Sequence, residues 1–190
     1  MEVHPGMKRG ICMLRGDSVY LCALDPANAE QARAWINDPD INRWMISGHV
    51  PITAAEEAEF YARMGASMAD HVFEIHLAAD DRYIGNCGLN SVDLIHRHAE
   101  LGIVIGDVAE QNRGRGRDAI RTLLRYGFDT LGLNSVEIRL VAGNERAAHL
   151  YPSLGFQPAG VLRQHLFLRG AYHDEVLLDM LASEWRTLTA

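Results

Sequence analysis

The densest concentration of chemistry in the 190-residue chain is the run Gln111-Asn112-Arg113-Gly114-Arg115-Gly116-Arg117-Asp118, which stands directly before an apolar helical repeat. A glycine-bearing loop that opens a helix points several backbone N–H groups at one place, and the helix dipole adds partial positive charge there. The arginines add formal charge. Such a loop suits a phosphate or pyrophosphate, with glycine keeping side chains off the approaching anion. In isolation the same residues also read as a plain surface turn. The loop has no Gly-Lys-Ser/Thr ending, which argues against a P-loop NTPase. It also lacks the short first strand and downstream acid of a dinucleotide-binding fingerprint. The nine histidines offer no metal set: His96 and His98 share a strand face, but no third ligand follows from spacing, so no metal is expected.

Charge is divided along the chain. From Asp25 to Asp70 eight acids (Asp25, Glu30, Asp38, Asp40, Glu56, Glu57, Glu59, Asp70) face three arginines (Arg33, Arg43, Arg63). From Arg113 to Arg125 five arginines face Asp118 alone. One stretch invites an anion and the other a cation, although both also suit solvated helix faces. The net charge of −7 disfavours nucleic acid, whose phosphates need a basic face, and suits a small cationic partner. No apolar run approaches the roughly 18 residues of a membrane span, and the first residues lack the apolar centre of a signal peptide. Cys12, Cys22 and Cys87 are too few and too scattered for a disulfide framework. They read as reduced thiols, which implies a cytoplasmic protein.

The elements that must carry these residues follow from pattern. Residues 1–17 read as a leader and 18–190 as one domain. A strand is expected at 18–24, and a helix from Pro26 to about Ile36, opened by Asp25 and proline at a first helical position. A short helix is expected within 37–45. Thr53 and Glu56 form a capping box for a helix to about Met68. Strands at 71–79, 82–92 and 99–106 form an antiparallel meander. Ala119, Ile120, Leu123, Leu124, Phe128 and Leu131 mark one face of a long helix that Gly132 ends. Val136, Ile138, Leu140 and Ala142 alternate along a strand at 135–143, and Asn144 caps a short helix after it. Residues 156–181 read as two strands joined at Arg169-Gly170. The sum is a mixed α/β sheet of six or seven strands, with the long helix linking two parallel ones.

Three motifs together resemble the GNAT superfamily of N-acetyltransferases. The family's loop, Gln/Arg-x-x-Gly-x-Gly/Ala between a strand and a long helix, is matched in two registers: literally by Gln111 to Gly116, and in its commoner local spelling by Arg113 to Asp118, with Asp118 where glycine or alanine is usual. The family's Asn…Tyr-x-x-Leu-Gly-Phe pattern stands here as Asn144-Glu-Arg-Ala147-Ala-His-Leu-Tyr151-Pro-Ser-Leu154-Gly155-Phe156. The tail Gly170-Ala-Tyr172-His-Asp174, with Leu178 where methionine is frequent, is close to the family's ending. The NDPDINRW segment (37–44) is similar to the subgroup of ribosomal-protein and polyamine acetyltransferases.

The resemblance implies a mostly antiparallel sheet with a splayed central parallel pair, and acetyl-CoA as co-substrate without a metal. The pantetheine arm would lie on the backbone of Ile103, Val104 and Ile105 like an added strand. The diphosphate would lie at Gln111, Asn112, Arg113, Gly114, Arg115, Gly116, Arg117 and Asp118, and Asn144 would touch CoA besides capping its helix. Tyr151 falls on the family's position for the acid that protonates the thiolate, and tyrosine, with a reference pKa of about 10, keeps its proton at neutral pH. The alternative for Tyr151 is core packing, and Pro152 would displace it by disfavouring helical geometry. Glu100 falls where relatives place a base for the amine; its alternative is a salt bridge to Arg97 or another arginine. The acceptor would be a small-molecule or peptide amine: a protein N-terminus, a polyamine or an amino sugar. A homodimer through the C-terminal strands is also expected of this resemblance. A CoA-binding module without catalysis and a partner-binding surface at 27–70 are the competing readings.

Overall fold

The computed structural model describes residues 12–46 and 50–189. Eight strands form one sheet in the order β1-β2-β3-β4-β5-β6-β8-β7. They are β1 (Cys12–Arg15), β2 (Val19–Ala23), β3 (His71–Leu77), β4 (Tyr83–Asp93), β5 (His98–Ile105), β6 (Ser135–Val141), β7 (Gln157–Leu168) and β8 (Ala171–Leu181). The helices are α1 (Ala29–Ile36), α2 (Ala54–Ala66), α3 (Arg115–Arg125), α4 (Glu145–Leu150) and α5 (Ala182–Thr189). Residues 1–11 of the expected leader lie outside the described residues. Residues 12–15, read as part of that leader, instead pair with β2 as an edge strand, and this raises the strand number to eight. The expected helix within 37–45 is a single 3₁₀ turn at Asn42–Trp44. Cys22 is disulfide-bonded, while Cys87 is a free buried thiol. The reading of three reduced thiols is therefore corrected, and the inference of compartment drawn from it lapses.

Local sequence accounts for the element ends. Thr53 Oγ1 accepts from the Glu56 amide at 3.2 Å while Glu56 Oε2 accepts from the Thr53 amide at 2.8 Å, the reciprocal pair expected at the start of α2. Arg169 and Gly170 both have positive φ, 51° and 82°, and close the β7–β8 hairpin in two residues. The inner face of α3 buries Ala119, Ile120, Leu123 and Leu124 completely. Each large apolar side chain there contributes about 1.5–3 kcal/mol relative to exposure. Residues Tyr126–Thr130 continue α3 as a π-helical turn, with Phe128 buried and Leu131 only half-buried.

All neighbouring strands are antiparallel except β5 and β6, which α3 connects. Their parallel pairing covers only His98, Ala99 and Glu100 against Ser135, Val136 and Glu137. Beyond it β6 stays paired to β8, up to Val141 with Glu175. β5 stays paired to β4, up to Ile105 with Gly85. The two strands therefore part, leaving Leu101–Ile105 without a ladder partner on the β6 side. Gly85 permits the close β4–β5 approach at this end, since a Cβ there would sit 2.1 Å from the Val104 carbonyl oxygen.

Candidate active site

The parting of β5 and β6 opens a cavity of about 550 Å³. Its walls are the ends of both strands (Ile103, Val104, Ile105, Gly143), the first turn of α3 (Gly116, Ile120) and one side of α4 (Asn144, Arg146, Ala147, Leu150, Tyr151). Arg43, Trp44 and Met45 close it from the 3₁₀ turn. Gly114, in the left-handed region at φ 81°, is the residue before α3, and no side chain caps the helix. The amides of Arg115, Gly116 and Arg117 thus remain first-turn donors without intrahelical partners. The first ladder bond runs from the Asp118 amide to the Gly114 carbonyl at 3.0 Å. Asn112, at φ 57°, makes the other left-handed turn of this loop.

Arg113, Arg115 and Arg117 are not among the residues that line the cavity. Glu110, which is buried, accepts from Arg115 Nε at 3.0 Å and from Arg82 Nη2 at 3.0 Å, and lies 3.9 Å from Arg113 Nη1. These cations hold its carboxyl below the usual range, Arg115 most strongly. Arg117 donates to the Ser153 hydroxyl and carbonyl at 2.6 and 3.3 Å. Asp118 requires correction: its carboxylate accepts from the amides of Asp17, Ser18 and Val19 and the Ser18 hydroxyl, at 2.6–3.0 Å. It fastens the β1–β2 turn from the far side of α3. Burial alone would raise its pKa, but these donors together hold it below the ordinary carboxylate value. Of the loop, Gln111 and Gly116 reach the cavity. Gln111 Nε2 donates to the Ile105 carbonyl at 2.8 Å, and its Oε1 accepts from Arg146 Nη1 at 2.9 Å. Arg146 was not singled out by the sequence, although it stands inside the Asn144–Tyr151 motif.

Asn144 caps α4 through its Oδ1, which accepts from the Ala147 amide at 3.2 Å, and also lines the cavity. Tyr151 keeps right-handed helical geometry (φ −66°, ψ −45°) despite Pro152, because its own amide still reaches the Ala147 carbonyl at 3.1 Å. The helical geometry that Pro152 was expected to disfavour is thus kept at Tyr151. The ring is buried against Phe156, with centroids 5.5 Å apart, and burial pushes its pKa up to about 12, slightly offset by Arg146. Among the described residues no protein group takes its hydroxyl.

A second cavity, of about 490 Å³, meets the first along β5, for both are lined by Met45, Ile103 and Val104. Its other walls are α2 with Glu56, Glu57, Phe60 and Arg63, the residues Ile36 and Ile52, and the β4 face at Asn86, Gly88 and Asn90. Glu100 pairs in register with Asn90 and so flanks this cavity. Its Oε2 lies 3.3 Å from Arg139 Nε, not near Arg97, and its pKa is raised by burial against the opposing effect of Arg139. The sequence reading also passed over Glu57 as an individual. Its phase four residues before buried Tyr61 was the available signal, since such spacing puts both on one helix face.

Among the described residues no helix is long and apolar enough to cross a membrane, and no group of three His, Cys, Asp or Glu side chains is placed to hold a metal. Residues 19–157 match the model of the acetyltransferase (GNAT) domain. The Bacillus subtilis protein YdaF, whose name provisionally assigns it to ribosomal N-acetylation, is 30% identical over 177 residues, 89% of this chain and 94% of its own. Spermidine N(1)-acetyltransferase of Escherichia coli K12 is 29% identical over 171 residues, 90% of this chain and 84% of its own. The crystal structure of Vibrio cholerae spermidine N-acetyltransferase with CoA and spermine superposes with a TM-score of 0.82 at 27% identity, covering 89% of this chain and 98% of that one. With a splayed parallel pair, an uncapped helix start beside it and a family match across most of its length, the chain belongs to the GNAT N-acetyltransferases.

Proposed function

We propose that the chain transfers the acetyl group of acetyl-CoA to a primary amine by direct attack while both substrates are bound. The observation that carries this reading is the meeting of two cavities on one strand. A cleft at the start of α3 and an acid-lined pocket under α2 share Ile103 and Val104. The residues present suit acetyl-CoA. The unpaired edge of β5 offers backbone partners to an amide-bearing arm, and the uncapped amides of Arg115, Gly116 and Arg117 suit a diphosphate. Bound there, acetyl-CoA supplies an activated acyl thioester.

The chain's own residues then have separate tasks. The β5 backbone and the α3 amides hold and orient the donor, so that proximity lowers the barrier. Arg146 and Gln111 close the cleft beside them. Tyr151, protonated at neutral pH and with its hydroxyl uncommitted, delivers a proton to the departing sulfur. Glu100, made more basic by partial burial, takes the amine proton directly or through water. The acceptor is a small cationic amine of the polyamine kind, which the acids around the α2 cavity and the spermidine-acetylating relatives favour.

Release of free thiol from acetyl-CoA by the purified chain, measured across a panel of spermidine, aminoglycosides and N-terminal peptides, tests the assignment. Turnover with spermidine above the other classes supports it. Tight acetyl-CoA binding without thiol release for any acceptor would leave a CoA-binding module instead.

A further inference from the structure

Glu57 is a carboxylate in a place where carboxylates are costly. It is only 2% exposed, and its Oε1 has no hydrogen-bond partner. Buried carboxylates ordinarily find a cation or several donors. None of the polar groups around it donates to that oxygen. Tyr61 and Tyr83 share a hydrogen bond at 3.3 Å, and the Tyr83 hydroxyl donates to Asn86 Oδ1 at 2.7 Å. Arg33, the cation that acts on Glu57 through space, gives its hydrogen bonds to Glu30 and the Ile52 carbonyl. Arg63, on the same cavity, lies over the Phe60 ring at 5.8 Å. Glu56 is held in the capping box.

The cavity that Glu57 lines also carries Glu56, Glu59 and Arg63 on α2, but much of its wall is apolar, with Ile36, Ile52, Phe60 and Val72, and it opens on β5 at Ile103 and Val104. A ligand that fills it must bring a positive charge to Glu57, an aliphatic stem to the apolar wall and a reactive end to the strand. We infer that Glu57 is the residue that selects the acceptor: it holds a protonated nitrogen of an aliphatic diamine, while the other, neutral nitrogen is presented at β5. This inference rests on the transferase reading above and adds to it the group that distinguishes a diamine from a monoamine of equal length. An orphaned carboxylate at this position weakens the empty protein, and stability exchanged for binding is what a ligand-holding group shows.

The test pairs hexanediamine with hexylamine, using wild type, Glu57→Gln and Glu57→Asp. In wild type, kcat/KM should favour hexanediamine. Glu57→Gln should raise the KM for hexanediamine about 30-fold or more, as losing one partner of a buried charge pair does, with the KM for acetyl-CoA unchanged. Its preference over hexylamine should disappear, and Glu57→Asp should restore part of it. Glu57→Gln should also melt at least about 3 °C higher than wild type, because an unpartnered buried charge is removed. An unchanged preference, or a lower melting temperature that exposes a structural pair with Arg33, overturns the inference. Calorimetric binding of hexanediamine in the presence of CoA reads Glu57 independently of turnover. A chain without thiol release that still loses diamine binding on Glu57→Gln sinks the transferase reading and supports Glu57 as the group that holds a diamine; equal diamine binding in both sinks this inference alone.

Discussion

Replacing Tyr151 with phenylalanine separates chemistry from packing unusually well. The ring is buried against Phe156, and its hydroxyl has no protein partner among the described residues. Tyr151→Phe therefore keeps the buried area and breaks no internal hydrogen bond, so stability at neutral pH should move by no more than about 0.5 kcal/mol. If the hydroxyl protonates the departing thiolate, turnover should fall about 100- to 10,000-fold, equivalent to about 3–5 kcal/mol of barrier. The KM for acetyl-CoA should change little. Alkaline unfolding adds a second readout. Burial raises the phenol from its ordinary value of 10.0 to about 12 in the folded chain. The folded state thus keeps a proton that the unfolded state gives up first. The stability tied to that proton is present below about pH 10 and is lost as pH rises to about 12, by about 3 kcal/mol. Wild type should lose this increment and Tyr151→Phe should not, a difference visible in denaturant midpoints across that window. Full turnover in the variant refutes the acid role. An identical alkaline loss in both proteins refutes the buried environment on which the role depends.

Arg146→Ala should raise the KM for acetyl-CoA about tenfold with kcat little changed, because Arg146 lines the cleft and braces Gln111 at 2.9 Å. Arg115→Ala, by contrast, should cost about 1–3 kcal/mol of stability, read by urea unfolding, with a smaller effect on that KM, since its guanidinium serves buried Glu110. Asp118→Asn should destabilise the chain by about 1–3 kcal/mol with acetyl-CoA binding retained. Because the folded Asp118 carboxyl is held low, its stabilisation is complete above the unfolded value of about 3.9 and is lost as pH falls through the folded one. Acid titration of wild type against the variant checks that sign.

What the sequence made legible was local. The Thr53–Glu56 box, the Asn144 cap, the apolar face of α3 and the Arg169-Gly170 turn each depend on neighbours within a few residues, and each stands where pattern placed it. The eighth strand escaped because β1 is only four residues, and its pairing with β2 gives no periodic signal in so short a run. The direction of the arginines escaped for another reason. A helix start rich in arginine predicts a positive field, but where each guanidinium turns depends on Glu110, Arg82 and Ser153, which the fold brings together from distant segments. Asp118 is the sharpest case: its partners lie 99 to 101 residues away, so the residue that looked misplaced beside a phosphate belongs to another part of the structure.

Those long-range pairings change the physical account of the cleft. With Arg115 and Arg117 committed elsewhere, the diphosphate of the proposed donor would be attracted chiefly by main-chain amides and the α3 dipole, with Arg146 beside them. The same logic extends along β5. Buried backbone N–H and C=O groups are nearly always paired, yet from Leu101 to Ile105 the strand has lost β6 as its ladder partner. Gln111 answers one group there, the Ile105 carbonyl. The rest of that edge would suit a ligand that alternates amide donors and acceptors along a thin chain, as the pantetheine arm of the proposed donor does and a planar nucleotide base does not. The side-chain alternation of β5 then divides labour across the sheet. Gly102 and Val104 belong to the α2 face, where the acids lie, while Ile103 and Ile105 lie nearest the Cβ position of Gly116 at the start of α3. In the proposed reaction a donor laid on the edge between those faces would be reached from one side by the acceptor and from the other by Tyr151. That is why the parting of two strands, and not the arginine loop, is the feature on which the proposed chemistry rests.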